Sequence, residues 1–236
     1  MARFFCERGG IEAGIRGVIM KFDSETLLAA FDDIGRAALE ESAHIELAIY
    51  GGSELMIAGN FRYATEDVDM AEIADGQPQW FLKATQAIAE KNGWPPDWIN
   101  DAVQFHLSPL ADRVTDHVAF GSFPRGVGPY GLDVIVPTAE YMLALKLKSI
   151  RLLEPVVARQ EASDIINLAT VVKADSIEKC IVILGKYFPK TAQAAEKQVF
   201  LLKRLNLFAE PHDAPIYPRG GGPAHKSGRA ADEGTE

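Results

Sequence analysis

Cysteine is nearly absent: Cys6 and Cys180 are the only two among 236 residues. That is too few for a disulfide framework or a zinc site, and it suits a reducing cytoplasm. No run of about 18 apolar residues occurs, so no segment reads as a membrane span. The first residues, with Arg3, Glu7, Arg8 and four glycines by Gly17, lack the apolar centre of a signal peptide. Positive charge is also short. A net charge of −9 argues against a broad non-specific nucleic-acid surface, although Lys146, Lys148, Arg151 and Arg159 cluster in sequence. His44, His106, His117, His212 and His225 are dispersed and form no metal spacing. What remains, 47% hydrophobic and 24% charged, is ordinary for a globular chain able to bury a core.

Residues 1–19 are Gly-rich and non-periodic and read as a flexible segment, with Met20 as a candidate start. Asp23 or Ser24 can cap a helix running to about Ala43, with Leu27, Phe31, Ile34 and Ala38 along one face. Ile45–Tyr50 reads as a buried strand, residues 53–59 as a short helix and residues 66–72 as an alternating strand. A helix is predicted over 79–92, then a Trp94-Pro95-Pro96 corner and a short helix near 97–105. Strands follow at 117–123 and 132–136. Helical patterns then run over 138–153, 160–173, 176–187 and 191–208, and residues 209–236 read as a disordered tail. The fold class is therefore α+β: a small mixed sheet flanked by helices to residue 137, then a helical bundle over 138–208.

The chemistry concentrates in residues 51–69. Gly51-Gly52-Ser53 follows a strand, and glycines let a backbone approach a phosphate closely while a serine hydroxyl adds a hydrogen bond. Read alone, the triplet is also an ordinary turn. Asp67 and Asp69 alternate with Val68 and Met70, so both carboxylates share the face opposite the core, about 6–7 Å apart along the strand. Their repulsion is roughly 2–3 kcal/mol at an effective dielectric near 20, which calls for a cation or a raised pKa. The alternative is a solvated strand edge. Asp133 lies inside the apolar run Leu132–Val136, where an acid is expensive unless paired or coordinating. Three carboxylates of this kind suit two Mg2+ ions, since magnesium takes oxygen ligands and two such ions serve in-line phosphoryl or nucleotidyl transfer.

Gly52-Ser53 followed after a spacer by Asp67-Val68-Asp69 resembles the signature of the nucleotidyltransferase superfamily, the fold shared with DNA polymerase β. Arg62 and Thr65 ahead of the pair resemble a common elaboration of it. The segment from Leu132 through Lys146 is similar to the subgroup of AbiEii-type toxins and related nucleotidyltransferase-like proteins. Two departures stand out: Glu54 follows the serine, and the spacer to the carboxylates is long. The resemblance covers roughly residues 24–205 and implies a nucleotidyltransferase core over 20–137. It implies Asp133 as third metal ligand, Lys146 on the triphosphate, and Asp164 as part of the site. From the residues alone, Lys146 also reads as a snorkelling lysine and Asp164 as a helix cap.

The activity so implied is Mg2+-dependent transfer of a nucleoside monophosphate from an NTP to an acceptor hydroxyl. Gly52 and Ser53 would hold phosphates, with Lys146 and Arg62 offsetting charge. Asp67, Asp69 and Asp133 would bind the metals, and Asp133 would serve as base. The acceptor is an RNA end, in a toxin–antitoxin setting with an antitoxin protein as partner, or a small hydroxylated molecule. The remaining alternative is a catalytically silent nucleotide-binding or interaction protein. Gly126-x-Gly128-x-x-Gly131 matches a dinucleotide fingerprint by letter, but a strand follows it and it contains Pro129, so it reads as a hairpin loop.

Overall fold

A computed structural model describes residues 22–65, 67–72, 77–150, 155–205, 208 and 215–218. The expectations for residues 1–19, Met20, Cys6, Glu66, Arg151, His212, His225 and most of 209–236 lie outside the described residues. Within them the chain is α+β, with a five-stranded mixed sheet and eight α-helices. No helix among the described residues is long and apolar enough to cross a membrane.

The central strand is β1 (Ile45–Tyr50), preceded by α1 (Ser24–Glu40). The Asp23 carboxylate caps α1 by accepting from Thr26 N at 2.8 Å. Behind β1 come α2 (Gly51–Ile57), β2 (Val68–Glu72), α3 (Gln79–Asn92) and the two-residue β3 (Ile99–Asn100). A 3-10 turn over Ala102–His106 leads to β4 (His117–Phe123) and β5 (Leu132–Pro137). The sheet order is β3-β2-β1-β5-β4; β2 is antiparallel and β5 parallel to β1, while β3 is parallel to β2.

Strand alternation sends side chains to two faces, and both are covered. Leu47, Ile49, Val68, Met70, Val134 and Val136 pack with Leu27, Phe31 and Ile34 of α1 and Phe81 and Ile88 of α3. Ala48, Tyr50, Ala71 and Ile135 face the other way, onto the helical half. That half comprises α4 (Ala139–Ser149), α5 (Pro155–Val171), α6 (Ile177–Tyr187), α7 (Pro189–Gln193) and α8 (Glu196–Arg204). The bundle therefore shares a core with the sheet, through Leu143, Leu147, Ile165, Leu168, Cys180 and Leu184.

Three predicted elements differ, the helix expected over 160–173 beginning already at Pro155. The short helix expected near 97–105 is instead β3 and the 3-10 turn, because Val68 N donates to Trp98 O at 2.8 Å and draws the segment onto the sheet edge. The helix expected over 191–208 is two helices, broken where Ala194 takes φ −120, ψ 51. Trp98 is fully buried, donates from its indole N–H to Thr85 O at 3.0 Å and packs on Trp94, so these rings pin α3 to the sheet.

Candidate functional site

Tyr50 ends β1 directly opposite Asp69 of β2, and the chain turns sharply into α2. Gly51 makes that turn at φ +69, a conformation that favours glycine. A Cβ on Gly51 would sit 2.3 Å from Asp69 Oδ2, and one on Gly52 would sit 2.8 Å from both Arg62 Nη1 and Thr65 Oγ1. The two glycines are thus required first by the protein's own polar groups, which crowd the turn. Ser53 is fully buried and its hydroxyl donates to Tyr50 O at 2.8 Å, so it braces the turn and does not line the cleft.

A cleft of about 630 Å3 opens beside the turn. Asp67 and Asp69 line it, as do Tyr50, Gly51, Gly52, Arg62, Thr65, His106, Lys146 and Glu161. Val68 and Met70 are buried on the far face, as the alternation requires. Burial, then the neighbouring Asp67 charge, raises the Asp69 carboxyl from its ordinary 3.8 to about 6, against opposing pulls from Lys146 and His106. Two carboxylates converging on a cleft with one reluctant to ionise is a donor set that fits a divalent cation.

The opposite wall is cationic and already neutralised. Lys146, on α4, is buried, with Nζ 2.9 Å from Asp164 Oδ2 and 3.3 Å from Glu161 Oε1. Arg62 donates from Nε to Asp164 Oδ1 at 3.3 Å and from Nη2 to Oδ2. Gln160 Nε2 adds a contact to Asp164 Oδ1 at 3.2 Å. Lys146 is therefore not a snorkelling lysine, and Asp164, inside α5 and fully buried, is not a helix cap. Lys148 lines the same cleft, donates to His106 O at 2.8 Å and stands over the Phe188 ring.

Asp133 does not join this group. It pairs in register with Glu46 of β1, whereas Asp69 pairs with Tyr50. Four residues of β1 separate those levels, about 13 Å, and a further strand intervenes laterally. The Asp133 carboxylate meets His44 Nε2 at 3.2 Å with 38% of its side chain exposed. Its apolar neighbours reflect β5 lying between β1 and β4, while Asp133 itself sits near the strand's start and is partly exposed. Among the described residues no group of three or more His, Cys, Asp or Glu side chains is disposed to hold a metal ion.

Sequence reasoning missed His106 and Glu161 as cleft residues, and the strand that places Asn100 beside Asp69. Asn100 of β3 lies opposite Asp69, with its Oδ1 accepting from Ala102 N at 3.1 Å. A two-residue strand carries no periodicity, so nothing signalled it. Glu161 was legible: it lies three residues before Asp164, on the same face of one helix. Compared with family models, curated proteins and solved structures, the chain gives no match.

Proposed function

We propose that this chain is a Mg2+-dependent nucleotidyltransferase, transferring a nucleoside monophosphate from an NTP to an acceptor hydroxyl. The observation that carries the reading is one cleft lined by a glycine turn, the Asp67/Asp69 pair and the cations Arg62 and Lys146. Its volume of about 630 Å3 suits a nucleotide-sized ligand. The succession of strand, glycine turn, short helix and antiparallel carboxylate strand supports a nucleotidyltransferase-like core.

Asp67 and Asp69 would hold the metal, which when bound neutralises phosphate oxygens and polarises the reacting groups. The Gly51–Gly52 backbone lies beside them, in reach of the same phosphates. Arg62 and Lys146 supply positive charge to the leaving pyrophosphate and exchange part of their contact with Asp164 and Glu161 for phosphate oxygens. The acceptor oxygen bonds to the α-phosphorus as the bond to pyrophosphate breaks, and the acceptor proton leaves to solvent. Asp133 has no part in this scheme, being remote from the cleft.

One observation favours a second reading. Without Asp133 the metal pair lacks its third carboxylate, as in a nucleotide-binding protein that has lost catalysis. Incubation with labelled NTP, Mg2+ and either total RNA or a metabolite pool separates the cases. Label in RNA or in a small molecule identifies the acceptor. No transfer in either pool, with nucleotide binding intact in an Asp67→Ala/Asp69→Ala variant, would sink the catalytic reading. The toxin–antitoxin setting rests on the resemblance alone, and co-purification of the chain with a small partner protein tests it.

A further inference from the structure

Glu54 is an acid with no access to water: it is fully buried in α2, immediately after the Gly51-Gly52-Ser53 turn. Its Oε1 meets the hydroxyl of Tyr217, and its Oε2 has no hydrogen-bond partner. Tyr217 arrives from far along the chain, and its hydroxyl also donates to Pro137 O at 2.6 Å. A phenol has one proton, and Pro137 O can only accept. An ionised Glu54 would leave two acceptors competing for that proton. A neutral Glu54 resolves the count: its carboxyl donates to the Tyr217 oxygen, and Tyr217 donates to Pro137. The orphaned Oε2 is then an uncharged carbonyl oxygen, far cheaper to bury than half of a carboxylate.

The three points that Tyr217 touches each belong to an element carrying a cleft residue. Glu54 follows the glycine turn. Pro137 ends β5, just before α4 and its Lys146. The Tyr217 ring packs 6.0 Å from Phe61, the neighbour of Arg62. We propose that Tyr217 is a positioning residue of the cleft, fastening α2, the Arg62 segment and the β5–α4 junction together through a neutral Glu54 carboxyl. The elements that carry the cleft are then held by a segment far along the chain, whose Tyr217 packs against both core clusters. Its effect on ligand affinity rests on the nucleotide reading; its effect on the geometry of the cleft does not.

The groups facing Glu54 are Tyr217 from the C-terminal segment, Lys146 from α4, Asp164 from α5 and Arg62 from the segment after α2. Burial outweighs the Tyr217 contact and the two cations and lifts the carboxyl from 4.5 to about 8. Lys146 and Arg62 are themselves compensated by Asp164, which limits their pull on Glu54.

The test uses the full chain with Tyr217→Phe, Glu54→Gln and Glu54→Leu, read by hydrogen exchange and by binding of Mg·ATP and Mg·GTP. Tyr217→Phe keeps the ring and removes only the hydroxyl. It is expected to speed amide exchange in residues 51–57 at least tenfold while α6 stays as in the wild type, and to weaken nucleotide binding several-fold. Glu54→Gln keeps a donor for Tyr217 and is expected to bind as the wild type does at pH 7. Above pH about 8 the wild type loses affinity and Glu54→Gln does not. Tyr217→Phe added to Glu54→Leu should change less than Tyr217→Phe alone, because only the bond to Pro137 O is left to lose. Wild-type exchange over 51–57 in Tyr217→Phe overturns the proposal, as does the same alkaline loss in Glu54→Gln. If the wild type binds neither nucleotide, the nucleotide reading falls while the exchange result still decides the clamp.

Discussion

Lys146 Nζ stands 2.9 Å from Asp164 Oδ2, and both side chains are buried, with Lys146 at the cleft wall. Asp164 also holds Arg62, so one buried carboxylate keeps two cations at the cleft wall. Removing it leaves uncompensated positive charge in a poorly solvated site. Asp164→Ala is expected to cost about 3–5 kcal/mol in urea unfolding. Lys146→Met keeps the aliphatic stem and leaves Arg62 on Asp164, so it should cost less stability. On the proposed function it should weaken NTP binding about tenfold or more, since a charge-assisted phosphate contact is lost.

The Asp69 carboxyl, raised to about 6, makes a pH-dependent prediction. In the folded apo protein it holds its proton more tightly than in the unfolded chain. Its share of stability is therefore greatest below pH about 4 and is lost as pH rises to about 6, by an amount of order 1–3 kcal/mol. A divalent cation favours the ionised form and reverses the loss. Thermal melts with and without Mg2+ should coincide near pH 4 and separate as pH rises through 6. The separation should disappear in Asp67→Asn/Asp69→Asn.

Gly51 and Gly93 share a left-handed backbone, at φ +69 and +67, but only Gly51 is crowded. A methyl at Gly93 meets open space, so Gly93→Ala should cost only the conformational term, about 1–2 kcal/mol. Gly51→Ala carries the same term and also drives a methyl into the Asp69 carboxylate. It should be the more destabilising by at least about 1 kcal/mol, and Asp69→Ala should remove most of that excess. Denaturant melts of the four variants measure the difference.

These relationships show what the chain of letters can and cannot reveal. Val68 and Met70 announced a strand with one apolar face, and that alternation correctly put Asp67 and Asp69 on the other. Of the second half, α4 and α6 were legible from their apolar spacing, and Thr138 and Ser176 cap them, whereas the expected 191–208 helix broke in two. Asp133 misled because an acid among apolar neighbours looks costly wherever it falls in a strand. Its depth along β5 depends on the parallel register with β1, a non-local fact. Ser53 read as a ligand contact, yet whether a hydroxyl faces a cleft or its own turn depends on geometry that residue type does not encode. Tyr217 was invisible for a related reason: it acts through a pairing with a distant segment.

Asp133 offers a direct comparison with Asp69. Placed beside His44 and away from the cleft, Asp133→Asn should leave Mg2+-dependent stabilisation and nucleotide binding within about twofold of the wild type. Asp69→Asn should abolish the first. Equal losses in the two variants would mean that Asp133 reaches the metal after all, and that the register between β1 and β5 differs in the working protein.

Glu54 yields the sharpest stability test, because its burial is complete. With its carboxyl at about 8 in the folded protein against 4.5 in the ordinary range, the folded state binds a proton that the unfolded chain releases. Below pH about 4.5 both states are protonated and the group costs nothing. Between about 4.5 and 8 the stability of the wild type falls with rising pH, and above about 8 the loss levels off. At about 1.4 kcal/mol per pH unit the full span amounts to several kcal/mol. Glu54→Gln cannot ionise and keeps the bond to Tyr217. It should match the wild type at pH 4.5, exceed it increasingly toward pH 8, and run parallel to it beyond. Urea melts across that range decide the matter: a stability gap independent of pH would show that Glu54 is ionised in the folded chain and that Tyr217 serves as its only donor.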